Sequence, residues 1–369
     1  MMARAQRPDP RRVRRGRTIS MLVALALVSF SPNAAYYLGH LYGRVAPRDT
    51  PELPLAPVPD ATRADIQAYA TTLPEFTAAL DDLRPSDRRR VTLLERHFRV
   101  YLRARGTLGR AQAASLMRLI AAEVRNQNPA RARRSVFSSP EAALADVERW
   151  LAFLHDTLAR PQRGTSAQLA ARIRAHAPVP MAPDVVFGNR TGLLRAANAL
   201  HLSPAILAAI VDNEQAGQAS GYGLAGLLRT FTDTAAQRAA QTYGASGLTG
   251  RLSQTVGVAQ MSWQDALGQE ERLRAHGVHL ARFPRTEAQV RALLNRPAPN
   301  LLLSASRLAG YLNHEVGAGP LDVRRHTDAW AFFTGPGWHN NPALASSGQT
   351  WPYAWNGFFK ACLYARALP

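Results

Sequence analysis

From about residue 60 onward, apolar side chains recur every three or four positions, and no run shows the sustained alternation of a strand. Val91, Leu94, Phe98, Tyr101 and Leu102 keep this period, as do Leu116, Leu119, Ile120 and Val124. A further helix opens with Ser139-Pro140-Glu141 and offers Leu144, Val147, Trp150, Leu151 and Leu154 for burial. Later helices are expected up to Glu214, after Gly257, around Leu301 to Asn313 and around Tyr353 to Arg366, joined by glycine-rich loops. A short hairpin is the one strand element allowed, within 217–256. The expected fold class is mainly α.

One of these helices carries a carboxylate on its apolar stripe. It opens with His201-Leu202-Ser203-Pro204, where Ser203 can cap free amides and Pro204 suits the first turn. Leu207, Ile210, Val211 and Glu214 then share one face. An ionised carboxylate is costly on a buried face, so its pKa rises and it can hold a proton near neutral pH. Two readings are open: Glu214 is such an acid, or it ends the helix and reaches solvent. Asp212 is turned about 100° away on the helix and makes a poor partner for it.

The chain has 369 residues, enough for two domains with cores of their own. Residues 1–36 read as a signal peptide or an N-terminal membrane anchor. Arg11, Arg12, Arg14, Arg15 and Arg17 precede the apolar run Ile19 to Phe30, and Ser31-Pro32-Asn33-Ala34-Ala35 supplies small residues after it. That run falls short of the ~20 apolar residues of a bilayer span, although Tyr36-Tyr37-Leu38 would extend it into an anchor over 19–38. Either form puts the remainder outside the cytoplasm, in the periplasm or cell envelope. A proline-rich linker follows at 37–59, then a helical accessory domain at 60–176. A second linker, 177–188, contains Pro178, Pro180 and Pro183, and a second domain occupies 189–369.

The formal net charge is +19, almost entirely from arginine; Lys360 is the sole lysine. This favours anionic partners, but the excess is spread along the chain and gives no focused nucleic-acid footprint. No nucleic-acid partner is expected. With Cys362 alone, no intrachain disulfide and no cysteine-based zinc site can form, and its apolar surroundings suit a buried structural thiol. The ten histidines are scattered without a His-Glu-x-x-His pattern. Nucleophile-elbow and phosphate-loop motifs are missing as well. No metal and no cofactor are expected.

Four segments of the second domain, in order, carry a resemblance. Leu207 to Gln215 ends in Glu214-Gln215; Val256-Gly257-Val258-Ala259-Gln260-Met261 follows, with Ala266 after it. Pro299-Asn300-Leu301 leads to Arg307-Leu308-Ala309-Gly310-Tyr311-Leu312, and Ala331-Phe332-Phe333-Thr334-Gly335-Pro336-Gly337 precedes Thr350-Trp351-Pro352-Tyr353. This succession resembles the catalytic domain of the soluble lytic transglycosylases, whose lysozyme-like fold is shared with goose-type lysozymes. It covers roughly residues 190–366. Gln215 stands where that family usually has Ser, and Phe332-Phe333 where it has Tyr-Asn.

The resemblance implies a lysozyme-like helical domain that cleaves peptidoglycan between N-acetylmuramic acid and N-acetylglucosamine. Glu214 would protonate the leaving oxygen, then act as base on the 6-hydroxyl to give a 1,6-anhydro product. Gly257, Val258, Gln260, Phe332 and Tyr353 would line the substrate, with Gln260 giving an amide and Tyr353 a hydroxyl that orients Glu214. For Gly257 a plain turn, for Gln260 a helix-surface residue and for Tyr353 a core aromatic stay open. Implied partners are peptidoglycan glycan strands and, through the N-terminal segment, the membrane. Two alternatives stand beside this: a degenerate domain that binds glycan or an envelope partner without cutting, and a hydrolytic lysozyme with Asp233 as second carboxylate. Asp233 also reads as a helix cap.

Overall fold

The computed structural model describes residues 69, 71–78, 87–127, 137–159, 165–220, 255–280, 282–311 and 350–368, all within the unit Leu53–Pro369. The expected signal or anchor segment, the linker 37–59, Asp233 and Phe332 lie outside these residues. The described residues are mainly α-helical, and their only strands are two residues long.

After the helical residues 71–78 come α1 (Asp87–Leu108), α2 (Arg110–Asn126) and α3 (Pro140–Ala159). Gly109 separates α1 from α2 at φ +88°, a left-handed value that a residue without Cβ adopts freely, and its amide donates to Arg105 O at 3.1 Å. The expected stripes of α2 and α3 are buried throughout. On α1 the expected Tyr101 and Leu102 are buried together with Leu93, His97, Val100 and Ala104, while Leu94 and Phe98 are half-buried. A histidine occupies the middle of this face, where an apolar pattern does not look for one.

His97 is fully buried, and its ring stacks on Phe76 with centroids 3.7 Å apart. Its Nδ1 lies 2.8 Å from the Tyr69 hydroxyl, which itself donates to Leu94 O at 3.3 Å. With that hydroxyl hydrogen committed, Nδ1 is the donor and Nε2 is left with a bare lone pair. No hydrogen-bond partner meets Nε2 among the described residues. Burial alone lowers the imidazole pKa from 6.5 to about 3. Outside this core, α1 and α3 are joined by an exposed ion pair, Arg89 to Glu141 at 2.8 Å, and a half-buried one, Arg96 to Glu148 at 2.7 Å. Such pairs contribute little, but they occupy arginines that would otherwise present bare charge.

Next come α4 (Ser166–His176), α5 (Pro183–Gly188), α6 (Arg190–Ala199) and α7 (Pro204–Ser220). Thr165 and Gln168 form a capping box at the start of α4. The stretch 177–188, with the prolines of a linker, is packed instead: Met181, Ala182 and Val186 are fully buried, and Pro183 opens a short helix. Helix α7 runs past Glu214 to Ser220, so Glu214 is not in its last turn. From Ala205 to Asn213 every residue of α7 is buried, the signature of a helix surrounded by protein rather than one with a single inward stripe.

Strands β1 (Thr255–Val256) and β2 (Met261–Ser262) form a two-residue antiparallel ladder, beyond most of the stretch where a hairpin was allowed. Helices α8 (Trp263–Leu267), α9 (Glu270–Ala275), α10 (Glu287–Leu294), α11 (Pro297–Tyr311) and α12 (Thr350–Ala367) complete the order. Helix α12 packs along α7 and also meets α3. Trp355 Nε1 donates to buried Asp146 Oδ2 at 2.9 Å, and Phe359 stacks on Trp150 with centroids 4.9 Å apart. One hydrophobic core therefore runs through both halves of the chain.

At the meeting of α7 and α12, Asp212 is wholly buried. Lys360 Nζ lies 2.6 Å from Asp212 Oδ1, and Oδ2 accepts from the Ala182 amide at 3.1 Å and from the Tyr364 hydroxyl. The ammonium also donates to Pro180 O at 3.2 Å. Among the described residues no helix is long and apolar enough to cross a membrane.

Two outcomes are expected. Lys360→Met strands a buried carboxylate and should destabilise the fold by about 3–5 kcal/mol in urea unfolding, with Asp212→Asn in the same chain recovering part of the loss. His97, proton-free when folded, gives stability that is complete above pH 6.5 and lost as pH falls towards 3. The slope should be about 1.4 kcal/mol per pH unit, and unfolding of His97→Phe over pH 4–6 should lack it.

Candidate functional site

Burial of α7 on all sides fixes the direction of its last two turns. There Glu214 and Gln215 are half-buried, between Asn213 and Ala216, both buried. Gln215 reaches sideways: its Nε2 donates to Val258 O at 2.9 Å and lies 3.5 Å from Gly257 O. Helix α7 is thereby joined at Gln215 to the four-residue turn 257–260 between β1 and β2.

That turn has unusual backbone geometry with a visible cause. Gly257 sits at φ +82° and Gln260 at φ +48°. A Cβ on residue 257 would collide with Asn300 Nδ2 and Leu294 O, so both conformation and space require glycine. Gln260 bears the left-handed strain of a residue with a Cβ, roughly 1–2 kcal/mol, and its own groups offset it. Its amide donates to Gly257 O at 3.1 Å and its Nε2 to the same oxygen at 2.7 Å.

From the other side, fully buried Asn300 of α11 reads the turn like a template. Its Nδ2 donates to Val256 O at 2.8 Å, and its Oδ1 accepts from the Ala259 amide at 2.9 Å. Two backbone groups that would otherwise be buried without partners are satisfied by one side chain. Ser262 then caps α8, accepting from the Asp265 amide at 3.1 Å.

Of the residues singled out from the sequence, Gly257, Val258 and Gln260 share one turn, which Gln215, the neighbour of Glu214 on α7, contacts. Tyr353 lies in the first turns of α12, with its side chain outside the described residues, like Phe332 and Asp233. One expectation needs revision. The more deeply buried carboxylate of α7 is Asp212, not Glu214, because the sequence stripe assumed one inward face and the helix has none facing water over that stretch. The Gln260 side-chain amide donates one hydrogen bond into its own turn.

Gln215 and Asn300 were present in the sequence segments without a structural task. A long carboxamide beside an acid, and an asparagine amid Leu301, Leu303 and Ala305, were the available signals. Cys362 is buried and its thiol is pushed up to about 12 by burial, which makes it inert as a nucleophile. Among the described residues no three His, Cys, Asp or Glu side chains lie close enough together to hold a metal ion.

The arrangement fixes the backbone of the turn from two sides, through Gln215 of α7 and Asn300 of α11, with half-buried Glu214 next to Gln215 in sequence. The chain matches no protein-family model, no curated protein and no solved structure. Gly257→Ala should lose about 2–4 kcal/mol, combining left-handed strain with overpacking against Asn300. Thermal unfolding beside Gly268→Ala checks this, since a Cβ at Gly268 meets only Asp265 O at 3.6 Å and that substitution should be nearly neutral.

Proposed function

We propose that this protein cleaves the β-1,4 bond between N-acetylmuramic acid and N-acetylglucosamine in peptidoglycan, with Glu214 as general acid and then general base. The observation that carries the reading is the half-buried Glu214, one residue from the side chain that ties α7 to the turn 257–260. On this reading the Glu214 carboxyl carries the proton, and the rigid turn held by Gln215 would keep a sugar ring at a fixed distance.

In the reaction, Glu214 gives its proton to the bridging oxygen as the C1–O bond breaks. The substrate's acetamido oxygen supports the charge growing at C1. The resulting carboxylate takes the proton of the 6-hydroxyl, and O6 closes on C1 to form the 1,6-anhydro sugar. No water and no second carboxylate enter. Gly257, Val258 and Gln260 would present the sugar-facing edge, with Phe332 and Tyr353 contributing from the later segments. The lysozyme-like arrangement belongs to residues 189–369, with 60–176 as accessory helices. The N-terminal segment would export the protein to the periplasm or envelope, with 19–38 as its anchor if it is kept.

One observation favours a second reading, in which the domain binds glycan or an envelope partner without cutting it. The Gln260 amide nitrogen is engaged within its own turn, which removes a donor from the substrate edge.

Digestion of purified sacculi separates these. The wild-type chain should release muropeptides with anhydro ends, and Glu214→Gln should lower that release by about 100-fold or more. Reducing ends in their place would assign a hydrolytic lysozyme. Wall binding that survives Glu214→Gln, with no release by either form, would assign the non-cutting binder.

A further inference from the structure

Gln215 stands where the resembled family usually carries serine, and the structure gives that longer side chain a task. Its terminal nitrogen lies two bonds further from the backbone than a serine hydroxyl, and that reach brings it to Val258 O at 2.9 Å and towards Gly257 O at 3.5 Å. The turn it meets is already shaped by Asn300, which holds Val256 O and the Ala259 amide. Asn300 belongs to α11, however, and sets the turn against that helix. Gln215 belongs to the turn of α7 that carries Glu214, so it sets the same backbone against the acid.

The geometry points to Gln215 as a positioning residue, a strut that fixes the distance between the Glu214 carboxyl and the sugar-facing turn. This rests on the reading of Glu214 as the acid. The strut donates and Val258 O accepts, so its chemistry can be tested apart from its volume. Methionine keeps the length without a donor. Glutamate donates only while protonated, since an ionised carboxylate accepts and cannot donate; an ordinary glutamate holds its proton below a pKa of about 4.3.

The experiment uses the full chain as wild type, Gln215→Met and Gln215→Glu, with hydrogen exchange of the 257–262 amides at pH 4 and pH 7. Cleavage of soluble peptidoglycan glycan strands is measured at pH 7. Protection at the Ala259 amide should fall about tenfold in Gln215→Met at both pH values. In Gln215→Glu it should fall at pH 7 and return towards wild type at pH 4. Both variants should lose about tenfold in kcat with KM within twofold, because a displaced edge still binds the sugar but holds it wrongly.

Unchanged protection in Gln215→Met overturns the strut, and so does equal loss in both variants at both pH values. A loss carried by KM alone overturns its part in positioning for chemistry. Wild-type cleavage by Glu214→Gln overturns the assignment of the acid instead, and the exchange data tell that failure from the failure of the strut.

Discussion

A single buried carboxylate organises the middle of this protein. Asp212 has no access to water, and an ion taken that far from solvent costs several kcal/mol unless it is matched. The chain matches it with its sole lysine, a tyrosine hydroxyl and a backbone amide. Lys360 and Tyr364 are four residues apart and so share one face of α12. Sliding α12 by a single residue against α7 would turn both away from Asp212. The pair therefore sets the register of two helices, and Pro180 O together with the Ala182 amide brings the 180–182 segment into the same arrangement.

The next residues of α7 inherit that precision. Glu214 and Gln215 stand within one turn of the anchored Asp212, and Gln215 passes the position on to the backbone at 257–260. That backbone takes its shape from Asn300. Two buried polar side chains on different helices, Asp212 and Asn300, thus hold this part of α7 and the turn 257–260 in place. Both find charge or hydrogen-bond partners, which is the condition under which a buried polar group specifies structure rather than weakening it.

The mainly helical character was legible in the sequence because period-three-and-four spacing was strong on α2, α3, α11 and α12. Helix α1 was found with part of its face, Tyr101 and Leu102 being buried as expected, but His97 is a core residue that an apolar pattern passes over. The prolines at 178, 180 and 183 suggested a linker, and Met181 and Ala182 beside them are buried. Proline reports backbone restriction, not exposure. Glu214 and the Gly257–Gln260 turn could be singled out from residue types in order. The partners that give them position could not, because Asn300, Lys360 and Tyr364 meet their targets only across long sequence separations.

Those separations matter during synthesis. Trp355 closes on Asp146 across 209 residues, and Tyr364 on Asp212 across 152. A ribosome delivers both aspartates long before it delivers the residues that neutralise or cap them. Until α12 emerges, α3 lacks the aromatic cover over Trp150, and α7 carries a carboxylate with no cation to face. The cover over Trp150 and the cation for Asp212 are thus both supplied by one late segment of the chain.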